Sequence, residues 1–165
     1  MNDAHLHMVV NHFPIIGTIL GVGVLICSFL FKNTSYRSIA YGLFIVSAVF
    51  AAVSMGTGEG AEEMVEEMPE IGHQIIHDHE EWAEKLALFL YLLGLTSIIG
   101  LYFDFKKHSK AKLIAILALL ISIVGVFFAK QTGTSGGEIR HTEIRTDFKS
   151  SDAPKTSVEN LSKED

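Results

Sequence analysis

Apolar residues in this chain fall into four blocks, 13–31, 39–55, 84–103 and 113–129, with charged residues gathered between them. The hydrocarbon core of a bilayer is about 30 Å thick, so a helix crosses it in roughly 20 mostly apolar residues. The first block carries no charge, and the third opens with Glu84 and Lys85, so its apolar core begins near Leu86. The second and fourth are short for a span and draw on their flanks. Four such blocks predict an all-α protein, an integral membrane four-helix bundle. Gly17 and Gly21 are four apart in the first block, a small-residue spacing that lets helix backbones approach closely in lipid.

The segments between the blocks read differently from one another. Gly56-Thr57-Gly58-Glu59-Gly60 predicts a flexible exit from the second span. Residues 61–68 then predict a short helix with Met64, Val65 and Met68 on one face, ended by Pro69. Residues 71–82 predict a second helical stretch that runs into the third span, with Ile71, Ile75 and Ile76 on its apolar side. Together these pieces form an outer amphipathic loop lying along the membrane surface. After the fourth span, residues 132–137 predict a hinge. From residue 146 the chain is too polar to bury a core, which predicts a disordered C-terminal tail. The domain division is therefore a transmembrane unit over 1–145 and a polar tail over 146–165.

Charge supplies an orientation. Lys32 and Arg37 flank the first turn, and Lys106, Lys107, Lys110 and Lys112 fill the turn between the third and fourth spans. The long loop between spans two and three has neither Lys nor Arg. Basic loops stay in the cytoplasm, so both termini and the acidic loop are expected outside, on the periplasmic side of an inner (cytoplasmic) membrane. The residues before the first block include Asp3 and three histidines but no Lys or Arg, which is not the pattern of a cleaved signal. The formal net charge is -6 and no basic stripe is present, so nucleic acid is not an expected partner. The lone Cys27 cannot form an internal disulfide. Neither a nucleophile elbow nor a phosphate-binding glycine loop occurs, and the spans lack charges at mid-depth, which argues against an enzyme or a transporter.

The candidate chemistry lies in the histidines. Seven of the eight fall on the predicted outer side: His5, His7, His12, His73, His77, His79 and His141, whereas His108 sits among the inner lysines. Histidine is the commonest metal ligand and titrates near neutrality. His7 and His12 lie about 140° apart around a helix, so they face different directions, one of them toward the bundle. His73 and His77 share a face and suit a single ion such as copper or zinc, with His79, Glu80 or Glu81 completing the set. A haem needs axial ligands from two facing elements, and His12 with His79 is the leading pair, with His7 and His141 as alternatives.

Leu6-His7-Met8-Val9-Val10-Asn11-His12-Phe13-Pro14-Ile15 resembles the L-H-P-L-L-V-H-F-P-I opening of an uncharacterised four-span membrane family, domain of unknown function 2231. Thr57-Gly58 at the exit of span two, His79-Glu80 before span three, and Gly136-Gly137-Glu138-Ile139-Arg140-His141 are similar to that family's later elements. Met8 stands where the family usually has proline. The resemblance spans roughly the first 145 residues. It implies that His7, His12, His79 and His141 are the histidines that matter, and it supplies no established activity.

Two expectations follow. The first is a membrane protein that binds haem b, or copper or zinc, near its outer face and serves electron transfer to a redox partner. Bis-histidine ligation leaves no open position on the iron, which favours a carrier over an enzyme. The second is a cofactor-free structural or accessory subunit of a membrane complex, alone or as a homo-oligomer.

Overall fold

The computed structural model describes residues 2–66 and 72–145. Pro69 and the tail over 146–165 lie outside the described residues. Five helices follow in order: α1 Asp3–Val10, α2 His12–Leu30, α3 Thr34–Glu66, α4 His73–Phe105 and α5 Ala111–Arg140, with a 3-10 turn at Thr142–Ile144. Asn2 caps α1, its side-chain oxygen accepting from the His5 N–H at 3.0 Å. Asn11 keeps helical dihedrals between α1 and α2, and the chain there is almost one helix. Pro14 accounts for the break, because it has no N–H to give the Val10 carbonyl.

α2 packs on α3, α3 on α4, α4 on α5, and α5 back on α2, closing a ring of four, while α1 lies against α3. Four helical stretches, Asp3–Leu30, Thr34–Met64, His73–Phe105 and Ala111–Arg140, are long and apolar enough to cross a membrane. The molecule is a multi-pass membrane helical bundle, as its hydropathy predicts. Leu25, Tyr41, Phe44, Leu90 and Leu93 are fully buried at its centre. Leu20, Ile39, Leu95, Ile98, Leu120 and Phe127 point outward, as expected where the surrounding solvent is lipid rather than water. Buried serine and threonine hydroxyls are satisfied within their own helices, whereas the buried Tyr41 hydroxyl has no hydrogen-bond partner among the described residues. Thr18 donates to the Pro14 carbonyl at 2.6 Å, Ser47 to Leu43 at 2.9 Å and Ser97 to Leu93 at 2.7 Å. In hydrocarbon no water is available to do this.

The stretches 38–53, 86–103 and 113–129 contain no Asp, Glu, Lys or Arg and mark the crossing segments of α3, α4 and α5. α3 and α4 each have 33 residues, so each is about 50 Å long and overshoots a core about 30 Å thick. The excess lies at the end opposite the two short lysine-bearing turns, where the helices project beyond the crossing segments.

That projection corrects the expected loop. Residues 55–60 are not a flexible exit but a continuation of α3, and the helix expected over 61–68 belongs to α3 through Glu66. The stretch 71–82 is, from His73, the start of α4, and the expected hinge over 132–137 is helical within α5. The physical reason is close packing. A Cβ on Gly60 would stand 2.6 Å from the Asp3 carboxylate, and one on Gly136 would stand 2.9 Å from the His79 ring. These glycines admit neighbours where a side chain would collide, and the tertiary contacts outweigh their poor helix propensity.

The same logic gives a test in the core. A Cβ on Gly100 would lie 2.4 Å from the ring of the fully buried Tyr41, whereas one on Gly23 meets nothing within 4 Å. Gly100→Ala is expected to destabilise the bundle by about 1–3 kcal/mol through overpacking. Gly23→Ala is expected to leave it unchanged or slightly firmer. Reversible unfolding in mixed detergent micelles reads both.

Candidate cofactor site

α1 and the projecting parts of α3, α4 and α5 meet at the histidine end. His7, on α1, reaches α3. Its Nδ1 lies 3.1 Å from the Ser54 carbonyl and 3.2 Å from Thr57 Oγ, and its ring edge lies against Gly58. His79, on α4, reaches α5. Its Nδ1 lies 3.0 Å from Ser135 Oγ, and its ring lies on Gly136. Both rings are partly buried.

The partners assign the tautomers. A carbonyl can only accept, so Nδ1 of His7 carries the proton. Thr57 donates its own hydroxyl hydrogen to carbonyls of α3 at 3.1 Å, leaving its oxygen to accept from the ring. Ser135 likewise donates to the Thr132 carbonyl at 3.2 Å, so its oxygen accepts from Nδ1 of His79. Each ring is therefore anchored through Nδ1–H and keeps the Nε2 lone pair, the arrangement in which a histidine meets a metal.

Burial lowers the pKa of His7, and the bond to the Ser54 carbonyl offsets part of this. Burial also lowers His79, and the charge His7 would carry lowers it further, against a smaller raising effect of the Thr132 carbonyl. The two rings are thus close enough for one to feel a proton on the other. Burial thus favours the neutral form of both rings.

Protonation then opposes folding. A folded pKa below the model value of 6.5 means that the unfolded chain binds protons first as pH falls. The two histidines' contribution is fully present above about 6.5 and declines below it, down to their lowered folded values. We expect the thermal midpoint in detergent to fall between pH 7.5 and pH 5. The fall is expected to be shallower in His79→Gln, which also relieves His7 of its charged neighbour.

The remaining candidates lie apart. His12, expected to pair with His79, is exposed, with Nδ1 on the Met8 carbonyl at 3.1 Å; His7 is the histidine of α1 that turns inward, onto α3. The turn of phase between His7 and His12 sends one inward and the other out. His141 is exposed at the end of α5, bonded to Glu143 at 2.9 Å. His73 and Glu80 are exposed on α4. His77 is also exposed and lies 3.9 Å from Glu81. Lys85, at 2.8 Å, holds the Glu81 carboxyl below its usual range, with His77 a smaller influence. His73, His77, His79, Glu80 and Glu81 do not converge. Among the described residues no group of three or more His, Cys, Asp or Glu side chains is placed to hold one metal ion.

Ser54, Thr57, Thr132 and Ser135 did not emerge from sequence reasoning. Their signal is a matched pair of pentapeptides, Ser54-Met55-Gly56-Thr57-Gly58 and Thr132-Gly133-Thr134-Ser135-Gly136. In the sequence their glycines suggest flexible segments, which hides the hydroxyls as ring partners.

The fold and the site thus define a four-helix membrane bundle with two anchored imidazoles at one end. No family model, no curated protein and no solved structure matches this chain.

Proposed function

We propose that this protein is a membrane electron carrier that holds haem b near one face of the bilayer through His7 and His79. The observation that supports this reading is the pair of Nδ1-anchored imidazoles from two different helices, each with no hydrogen bond at Nε2 among the described residues. Two neutral nitrogen donors are what a haem iron takes at its axial positions, and a haem so bound supplies a one-electron iron couple. The protein's part is to fix the two rings and to keep them deprotonated. The same donors fit a two-coordinate copper ion. A zinc ion ordinarily takes four ligands, more than the described residues gather, which favours haem over zinc. The basic turns at Lys32 and Lys106–Lys107 favour a cytoplasmic position for the opposite end, placing the histidines on the outer side, where a redox partner would dock. The likeness to the uncharacterised four-span family includes His7 and His79 among the four histidines it points to, with His12 and His141, and adds no activity.

The test is a visible spectrum of detergent-purified protein, expressed with added haem precursor, before and after dithionite. A Soret band with sharp reduced α and β bands is expected. A flat spectrum overturns the haem reading and favours a cofactor-free accessory subunit or a bare copper site.

A further inference from the structure

The two histidine cradles belong to a larger correspondence. His7 and His79 are 72 residues apart, and a shift of 72 lays Thr18, Gly21 and Leu25 of α2 on Leu90, Leu93 and Ser97 of α4, all buried. Ser54 and Thr132 are 78 apart, as are Thr57 and Ser135. A shift of 78 lays Ala40, Ser47 and Ala51 of α3 on Ala118, Gly125 and Ala129 of α5, again all buried. At that shift Ala40, Ile45, Val46, Phe50, Ala51 and Gly58 meet identical residues. The turn after each hairpin's first helix contains a lysine in the left-handed region, Lys32 at φ 52° and Lys107 at φ 49°, where residues other than glycine are uncommon. The ring of helix contacts maps onto itself when α2 exchanges with α4 and α3 with α5.

Helical periodicity alone would align some buried positions at many shifts. It does not require the shifts that align the cores to be the ones that align the two rings and their hydroxyl partners. This pattern is what a pseudo-two-fold relation between the two hairpins, with the histidines as a related pair, would produce.

We propose that the chain is an internal duplication of one helical hairpin, that His7 and His79 are the two copies of a single half-site, and that Thr57 and Ser135 are equivalent positioning residues which hold both rings with Nδ1 protonated. A ligand on the axis is then met by two equivalent Nε2 donors. The chemical class this suits is a metal centre with two like open positions, such as the two axial sites of a metallated tetrapyrrole. The ligand half of the inference rests on the reading in the preceding subsection; the duplication and the positioning role do not.

The test uses the full-length protein in micelles, labelled with 15N at histidine. At pH 8 both His7 and His79 are expected as Nδ1–H tautomers with slowly exchanging ring protons. Thr57→Val should speed exchange at His7 about tenfold and leave His79 unchanged, and Ser135→Ala should do the converse, each change removing one hydrogen bond. Thr57→Ser and Ser135→Thr should restore slow exchange, separating a positioning role from a folding defect. Hemin added to the ligand-free protein should bind once per chain, weakened about 10- to 100-fold by either hydroxyl deletion. An Nε2–H tautomer at either ring, or an effect of one hydroxyl on both rings, overturns the proposal. Correct tautomers with no hemin binding uphold the positioning device and overturn only the haem reading.

Discussion

In the haem-bearing protein proposed above, replacing His7 or His79 with alanine is expected to abolish the reduced α band, while replacing His12 is expected to leave it intact. The three variants separate readings that the sequence alone leaves joined. His12 directly precedes the first span and belongs to the most recognisable motif, yet its ring is exposed and bonded to its own helix. His7 and His79 are anchored to α3 and α5 through Nδ1. Loss of either would leave the proposed haem with a single histidine donor, which would convert it to a high-spin form or release it. The spectrum distinguishes these outcomes from simple loss of protein, because the high-spin form retains a broadened Soret band. Loss of the band in His12→Ala with retention in His7→Ala would reverse the assignment.

The largest stability effect is expected at the opposite end. Arg37 on α3 forms a two-pronged ion pair with Asp104 on α4, with Nε to Oδ2 at 2.7 Å and Nη2 on Oδ1. The side chains are 15% and 7% exposed. Asp104→Ala leaves a guanidinium without its carboxylate at the edge of the hydrocarbon and is expected to cost about 3–5 kcal/mol. Replacing both partners with leucine should cost much less, because it removes both desolvation penalties along with the attraction. Unfolding of the single and double variants in mixed micelles reads the difference. Equal losses in Asp104→Ala and the double variant would mean that the stranded charge is not what destabilises the single variant.

Much of this architecture can be read along the chain. The four apolar blocks predict the four helices, because hydrocarbon admits only segments that satisfy their own backbone. The lysine-bearing turns and the histidine end separate in the sequence as they do in space. The glycine-rich stretches at 56–60 and 132–137 mislead, because glycine is read as a breaker when no neighbour is in view. Here Gly58, Gly60 and Gly136 lie under His7, Asp3 and His79, a use that depends on residues tens of positions away. The correspondence of the two pentapeptides is visible in the sequence but gains meaning only when each is found beneath a histidine.

Hydropathy and periodicity suffice for the class of molecule: helical, membrane-crossing, with its titratable rings kept out of the apolar blocks by the cost of burying polar groups in lipid. Periodicity also dictated that His7 and His12 face different ways. Which of them faces inward, and which partner it meets, was decided only by the tertiary structure. The choice depends on how α1 lies against α3 and where the ends of α4 and α5 stand beside it. Those placements are set by close contacts at small residues and by two hydroxyl–imidazole bonds, interactions between segments that no local pattern specifies.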